Sequence, residues 1–348
     1  MCALVWTRCE YFYLLLHRLF YIELIMHAVI VFLKNWTLPA AMAFGALAYS
    51  IFAFVPALGR AADFFAPVFD EILPWFLFVI LFITFCKVDF SKMKMHRWHL
   101  LVSAFQLLFV VMLMSCILGF EMTGKNLILM EGVLTCIIGP CASAAPVVTA
   151  KLGGNLESMT AYTFLSNFIT AIMVPLCFPM IEQKVVMTFF QSFLLILTRV
   201  FVILIVPMFL AYVVKHFLPR VQHMILSIND LPFYLWGCSL AIVTGTTVKN
   251  IVNSGSTAGF ILTIAAASFI LCLVQFSVGR YIGHFFGATV ESGQALGQKN
   301  TAFAIWVAYT YLNPLSSVGP GCYILWQNAI NSLELWQQRH KEDKNRVR

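Results

Sequence analysis

Long apolar stretches separated by short polar breaks occupy the chain from about residue 36 to Trp336. A bilayer-crossing helix needs about 20 apolar residues. Runs of that kind fall at 36–56, 70–87, 97–119, 127–149, 157–181, 187–214, 231–251, 256–286, 289–312 and 314–336. The pattern predicts an all-α polytopic membrane protein of about ten transmembrane helices, with no room for a soluble domain. Two runs are interrupted from within. Gly139-Pro140-Cys141-Ala142-Ser143-Ala144-Ala145-Pro146 breaks the fourth, and Gly293-Gln294-Ala295-Leu296-Gly297-Gln298-Lys299-Asn300 breaks the ninth. Each proline removes a backbone donor and clashes with the preceding turn. In hydrocarbon, unwound backbone survives only where protein or a water-lined cavity satisfies it. Paired broken helices at matching places in two halves point to a transporter's binding site. Each break lies in the fourth of five spans, and an odd number of spans makes the halves insert in opposite orientations. The expected organisation is two inverted five-helix repeats, at 36–182 and 185–336, with a basic tail at 337–348.

Residues 1–35 fit less well. Arg8, Glu10, His17, Arg18, Glu23 and His27 interrupt their apolar runs, which suits an amphipathic leader at the membrane surface, and Met26 offers an alternative start. No small-residue cleavage site marks a signal peptide.

Composition supports the membrane reading. Apolar residues make up 61% and charged residues 11% of the 348, where soluble domains carry roughly 25% charged residues. A net charge of +7 would suggest nucleic acid in a soluble chain, but here it reads as topology. With both termini cytoplasmic, sixteen of the 22 lysines and arginines fall on the inner side. They include Lys87, Lys92, Lys94, Arg97, Lys215, Arg220 and the tail. Only Arg60, Lys125, Lys184 and Lys249 fall outside, as the positive-inside rule requires of an even span count. Short loops suit a bacterial inner membrane. Trp36, Trp75, Trp98 and Trp336 lie near span ends, where aromatic anchors belong. The ten cysteines are scattered through apolar runs and read as unpaired packing residues. Nothing predicts a metal, a cofactor, a hydrolytic triad or a phosphate-cradling loop.

The intramembrane polar residues carry what chemistry there is. Lys299 lies inside the second break, ahead of Thr301 and the apolar run Ala302–Trp306. A lysine inside a span costs roughly 2.5–3.5 kcal/mol on the insertion scale and usually faces a cavity or a partner. Glu291, two turns upstream, partners Lys299 only if the helix bends, and otherwise sits at the interface. Arg199 either attracts an anionic substrate or marks the headgroup level. Gln106, Glu131, Thr163, Ser166, Asn167 and Asn328 suit helix–helix hydrogen bonds. Gly139, Pro140, Ser143, Pro146 and Gly297 shape the breaks themselves, with Gln298 and Asn300 beside Lys299.

In these breaks and their spacing the chain resembles the bile acid:sodium symporter family. The resemblance rests on Ser143–Thr149 running to Gly154-Asn155, on Gly297-Gln298-Lys299-Asn300, and on Trp326-Gln327-Asn328-Ala329-Ile330-Asn331-Ser332. It implies a core bundle carrying two crossing broken helices, a panel bundle, and an organic anion bound between them. It also implies sodium ligands at positions that here read Ala145, Pro146, Met159, Thr163, Ala295 and Lys299, of which only Thr163, together with the third-helix Gln106, keeps a ligating side chain. Sodium is therefore not expected as a partner, and Lys299 occupies the old cation position. It either exchanges a proton during the cycle, making H+ the coupling ion, or stays charged and makes transport facilitative. It can also pair with a substrate carboxylate. A metalloid carrier using Cys141, a sodium-coupled symporter and a non-transporting receptor of the same fold remain alternatives.

Overall fold

The computed structural model describes residues 37–55, 58–182, 188–227, 231–253 and 255–347. The leader at 1–35, Trp36 and Lys184 lie outside them. Among the described residues the chain is helical, with a single isolated bridge and no named strand. Five helices are long and apolar enough to cross a membrane: Pro67–Cys86, Arg97–Gly119, Leu156–Ile181, Phe189–Phe217 and Ala258–His284. The other expected spans are shorter, broken or more polar.

In chain order the helices are α1 (Thr37–Phe54), α2 (Gly59–Cys86), α3 (Arg97–Gly119), α4 (Gly124–Ile138), α5 (Ala145–Lys151), α6 (Leu156–Ile181) and α7 (Phe189–Leu204). They continue as α8 (Val206–Phe217), α9 (Pro219–Ser227), α10 (Leu231–Asn253), α11 (Ala258–His284), α12 (Thr289–Gly297), α13 (Thr301–Tyr311) and α14 (Val318–Val347). Both expected breaks separate short helices, α4 from α5 and α12 from α13. A third interruption divides α7 from α8 at Ile205, where Pro207 enters the first turn of the new helix. The last span does not end at a loop: α14 runs without a break from the membrane segment through the tail to Val347.

Contacts divide the helices into two groups. One contains α1, α2 and α7 to α10; the other contains α3 to α6 and α11 to α14. They meet chiefly where α6 packs on α7, where α10 packs on α14 and where α13 faces α2 and α10. The outward faces need not be polar, because lipid accepts apolar side chains. Leu100, Leu108 and Val111 of α3, for example, are exposed while Val102, Gln106 and Val110 of the same helix are buried. Trp75 and Trp336 remain exposed as anchors would, but Trp98 is buried and stacks on Tyr162, with ring centroids 5.5 Å apart. The anchor reading of Trp98 is thus corrected: its position at the start of α3 faces α6, so the ring packs inward.

Without a hydrophobic drive between helices in lipid, close packing over small residues does the work. One tight pairing is α11 on α12, where a Cβ on Gly279 would collide with the Ser292 carbonyl oxygen. Gly319 of α14 similarly lies on Gly132 of α4, with a built Cβ only 2.7 Å from the Gly132 oxygen. Gly259, near the start of α11, has open space. Gly279→Ala should lower the thermal unfolding midpoint in detergent, by a loss of about 1–3 kcal/mol. Gly259→Ala should leave it unchanged or slightly raised.

Candidate functional site: the crossing of the two broken helices

Where α4 stops at Ile138, its last carbonyls lose their intrahelical partners. Gly139 takes φ −56°, ψ 147°, which turns the chain out of the helix, and Pro140 has no N–H to continue it. The second break does the same after Gly297. The two unwound segments then lie against each other as one antiparallel bridge, Cys141 opposite Lys299. Ala142 N–H donates to Gln298 O at 2.9 Å, and Asn300 N–H donates to Pro140 O at 2.8 Å. The two breaks satisfy each other, which explains how either persists inside the membrane.

The remaining backbone groups are taken by side chains from surrounding helices. Ser166 of α6 accepts from Cys141 N–H at 2.8 Å. Gln327 of α14 reads both sides of Lys299: it accepts from the backbone N–H at 2.9 Å and donates to the carbonyl at 3.2 Å. Tyr323 donates to Gly297 O at 2.8 Å. Thr170 donates to Ile138 O at 2.9 Å, and Gln275 of α11 lies 3.5 Å from Cys136 O. Asn300 caps α13 by accepting from Phe303 N–H at 3.2 Å.

Lys299 completes the set. Its Nζ donates to Ile137 O at 3.1 Å and to Gly139 O at 3.2 Å, and only 1% of the residue is exposed. Gln106 approaches the same Gly139 oxygen at 3.5 Å. The ammonium therefore sits at the carbonyl end of α4, where the helix macrodipole is negative. Among the described residues, no carboxylate lies within ion-pair distance of it. Unwound carbonyls and half-helix C-termini are what transporters use to hold a coupling cation. Here the Lys299 side chain lies at such a helix end.

The crossing thus brings together Gln106, Gly139, Pro140, Cys141, Thr163, Ser166, Gly297, Gln298, Lys299 and Asn300. Thr163 donates to Met159 O at 3.0 Å and lies 3.9 Å from the Cys141 sulfur. Asn167, one turn on, donates to Thr163 O at 2.7 Å. Ala145, Pro146, Met159 and Ala295 are all buried around this point and offer no side-chain oxygen. Exposure rises along the first break, from buried Gly139 to half-buried Ser143 and exposed Ala144. Gln298 Oε1 and Asn167 Oδ1 are buried without a hydrogen-bond partner.

Two expected members are elsewhere. Glu291 does not reach Lys299, because α12 stays helical between them; instead its Oε1 accepts from Asn155 N–H at 2.6 Å, bracing the start of α6. Arg199 is exposed on α7 and faces the Tyr311 hydroxyl. Tyr323, Gln275 and Thr170 do not stand out in the sequence, although each is a polar residue in an apolar run. Asn328, which does, bonds to Ile324 O within its own helix, at 2.6 Å.

A small cleft of about 30 Å³ lies beside the crossing helices, lined by Leu73 of α2, Val243 and Thr246 of α10, and Ile305, Trp306, Tyr309 and Thr310 of α13. It opens between the two helix groups. Among the described residues no three His, Cys, Asp or Glu side chains are placed to share a metal ion.

A sequence model of the Sodium Bile acid symporter family matches residues 74–282. The matched region contains the first break and ends before the second. No curated protein matches the chain.

Removing the ammonium would leave the Ile137 oxygen without a donor. Lys299→Met should therefore lower the thermal unfolding midpoint, at about 1–3 kcal/mol for a buried acceptor left unsatisfied. Lys299→Gln, which keeps an N–H donor, should recover part of the loss in the same melt.

Proposed function

Because the chain belongs to the Sodium Bile acid symporter family, we propose that it moves a small organic anion by alternating access without sodium, with Lys299 in place of the coupling cation. Membership makes it an integral membrane transporter of the bile acid and organic anion type. The observation that carries the finer reading is the Lys299 ammonium on the Ile137 and Gly139 carbonyls. A free sodium ion needs several hard oxygen ligands, and the residues around this point contribute Ala145, Pro146, Met159 and Ala295 instead.

The same geometry argues against direct pairing of Lys299 with substrate. The ammonium is buried and committed to backbone carbonyls, so a substrate carboxylate would have to displace them. The anion is better placed between the helix groups, where α13 faces α2 and α10, and the space there, about 30 Å³ in this conformation, would have to widen to admit it. Rocking of one helix group against the other would open that cleft alternately to each side. The crossing itself, hydrogen-bonded throughout, would move as a unit. A metalloid carrier using Cys141 has less support: the thiol is buried against Thr163, with no cluster of further thiolates among the described residues to share the ligand.

Proteoliposomes loaded with a panel of organic anions test this reading. Flux should be indifferent to a sodium gradient and should fall at least tenfold in Lys299→Ala. Acceleration by a pH gradient would assign H+ as the coupling ion, whereas exchange without such acceleration would make transport facilitative. Flux that requires sodium would contradict the proposal.

A further inference from the structure

Three of the five long apolar helices have an end at one place on the molecule: Pro67–Cys86 and Phe189–Phe217 finish there, and Arg97–Gly119 begins there. The loop 87–96 leads from α2 into α3 at this point, and α9 follows α8. Side chains join the two segments. Lys215 of α8 donates from Nζ to Val88 O at 2.7 Å and lies 3.5 Å from Asp89 Oδ1. Gln222 of α9 donates to Cys86 O at 3.4 Å, and Ile225, three residues on, is buried, so α9 is held against the end of α2. Ends of bilayer-crossing helices lie at the membrane surface, and the loop and α9 form one face there.

That face carries charge of one sign. Lys87, Lys92, Lys94, Arg97 and Arg220 are exposed and Lys215 is half-buried. Asp89 is the single acid in residues 87–97 and 215–227, and it is already engaged. It accepts from Ser91 N–H at 3.2 Å and from the Ser91 hydroxyl at 2.8 Å, and pairs with Lys92 at 3.8 Å and Lys215 at 3.5 Å. The turn from α5 to α6, brought beside α3 by the 3.2 Å contact of His99 with Ser158, adds exposed Lys151 and half-buried Glu157 and so leaves the balance as it is. Asp230, beyond α9, lies outside the described residues. Apolar side chains stand among the cations: Met95, Phe217, Leu218 and Met224 are all exposed. Such a mixture suits the headgroup boundary, where apolar groups enter the acyl region and basic groups stay at the phosphates. A soluble anion would satisfy the charges alone and leave the apolar side chains in water.

We propose that the loop 87–96 and α9 together bind anionic phospholipid headgroups. Each lysine or arginine near an anionic leaflet strengthens attachment by about fivefold, and the arrangement gathers several on a short stretch of surface. The loop is also the connection from α2, in one helix group, to α3, in the other, so a bound headgroup sits at a link between the two. This face is distinct from the crossing and does not depend on which substrate is carried.

The full chain in phosphatidylcholine bilayers, given trace spin-labelled phosphatidylglycerol or phosphatidylcholine, tests the face through the fraction of label held immobile. The native protein should hold phosphatidylglycerol about tenfold more tightly than phosphatidylcholine, and added salt should reduce that preference. Joint Lys94→Gln and Arg220→Gln substitution, at two exposed positions, should lower the preference at least fivefold without moving the thermal midpoint. The charge-preserving pair Lys94→Arg and Arg220→Lys should retain it, as should Lys125→Gln beyond the opposite end of α3. Equal retention of the two lipids by the native chain would overturn the proposal. So would a preference that survives the double neutralisation, or one that falls as far in Lys125→Gln.

Discussion

The structure depends on an ammonium held against the end of a broken helix. The Lys299 Nζ lies on the Ile137 and Gly139 carbonyls, where α4 terminates inside the membrane and the macrodipole gathers negative potential. An unfilled position here would leave a buried carbonyl without a donor, at a cost of about 1–3 kcal/mol. A freely exchanging ion can fill such a site, but so can a lysine, which needs no occupancy from solution. In the proposed reading, the integrity of the crossing does not depend on the ions outside.

Everything around the ammonium follows from the same accounting of donors and acceptors. Two breaks that pair with each other leave a few groups over, and each is taken by a side chain from another helix: Ser166, Thr170, Gln275, Tyr323 and Gln327. These contacts bind α6, α11 and α14 to the crossing and define one group of helices as a body. The other group, built on α1, α2 and α7 to α10, contributes no hydrogen bond to the crossing backbone among the described residues. The division between the two groups thus has a chemical basis, since the hydrogen bonds to the crossing backbone come from one of them, while α10 reaches across it through Asn250 to Pro314 O and Ser317 Oγ.

Much of this was legible in the residues. The all-α membrane class follows from apolar runs, and both breaks follow from glycine and proline in otherwise unbroken hydrophobic stretches. Lys299 stood out because a charge in hydrocarbon needs a reason. Its partners were less accessible. Glu291 was the nearest acid in sequence, yet the acceptors are backbone carbonyls about 160 residues away, and carbonyls carry no sequence signature. Trp98 was misread because distance from a span end does not reveal which face of the helix a ring occupies. Glu131 looked like an ordinary interhelical hydrogen bond, and one oxygen does accept such a bond, from Asn313 N–H; that its other oxygen is left without a partner emerges only from the packing. The short helices flanking each break, and the short apolar stretch Ala40–Phe54 of α1, help explain why fewer long apolar helices are found than apolar runs were counted.

The most direct test of the central claim is thermal unfolding of the purified protein in sodium against choline at constant ionic strength. A ligand that binds only the folded state at 100 times its dissociation constant stabilises by about 2.7 kcal/mol, which is well within the reach of such a melt. If Lys299 fills the cation position, the native midpoint should be the same in both salts. A saturable rise with sodium would mean that a free cation still binds at the crossing, and that the lysine does not replace it.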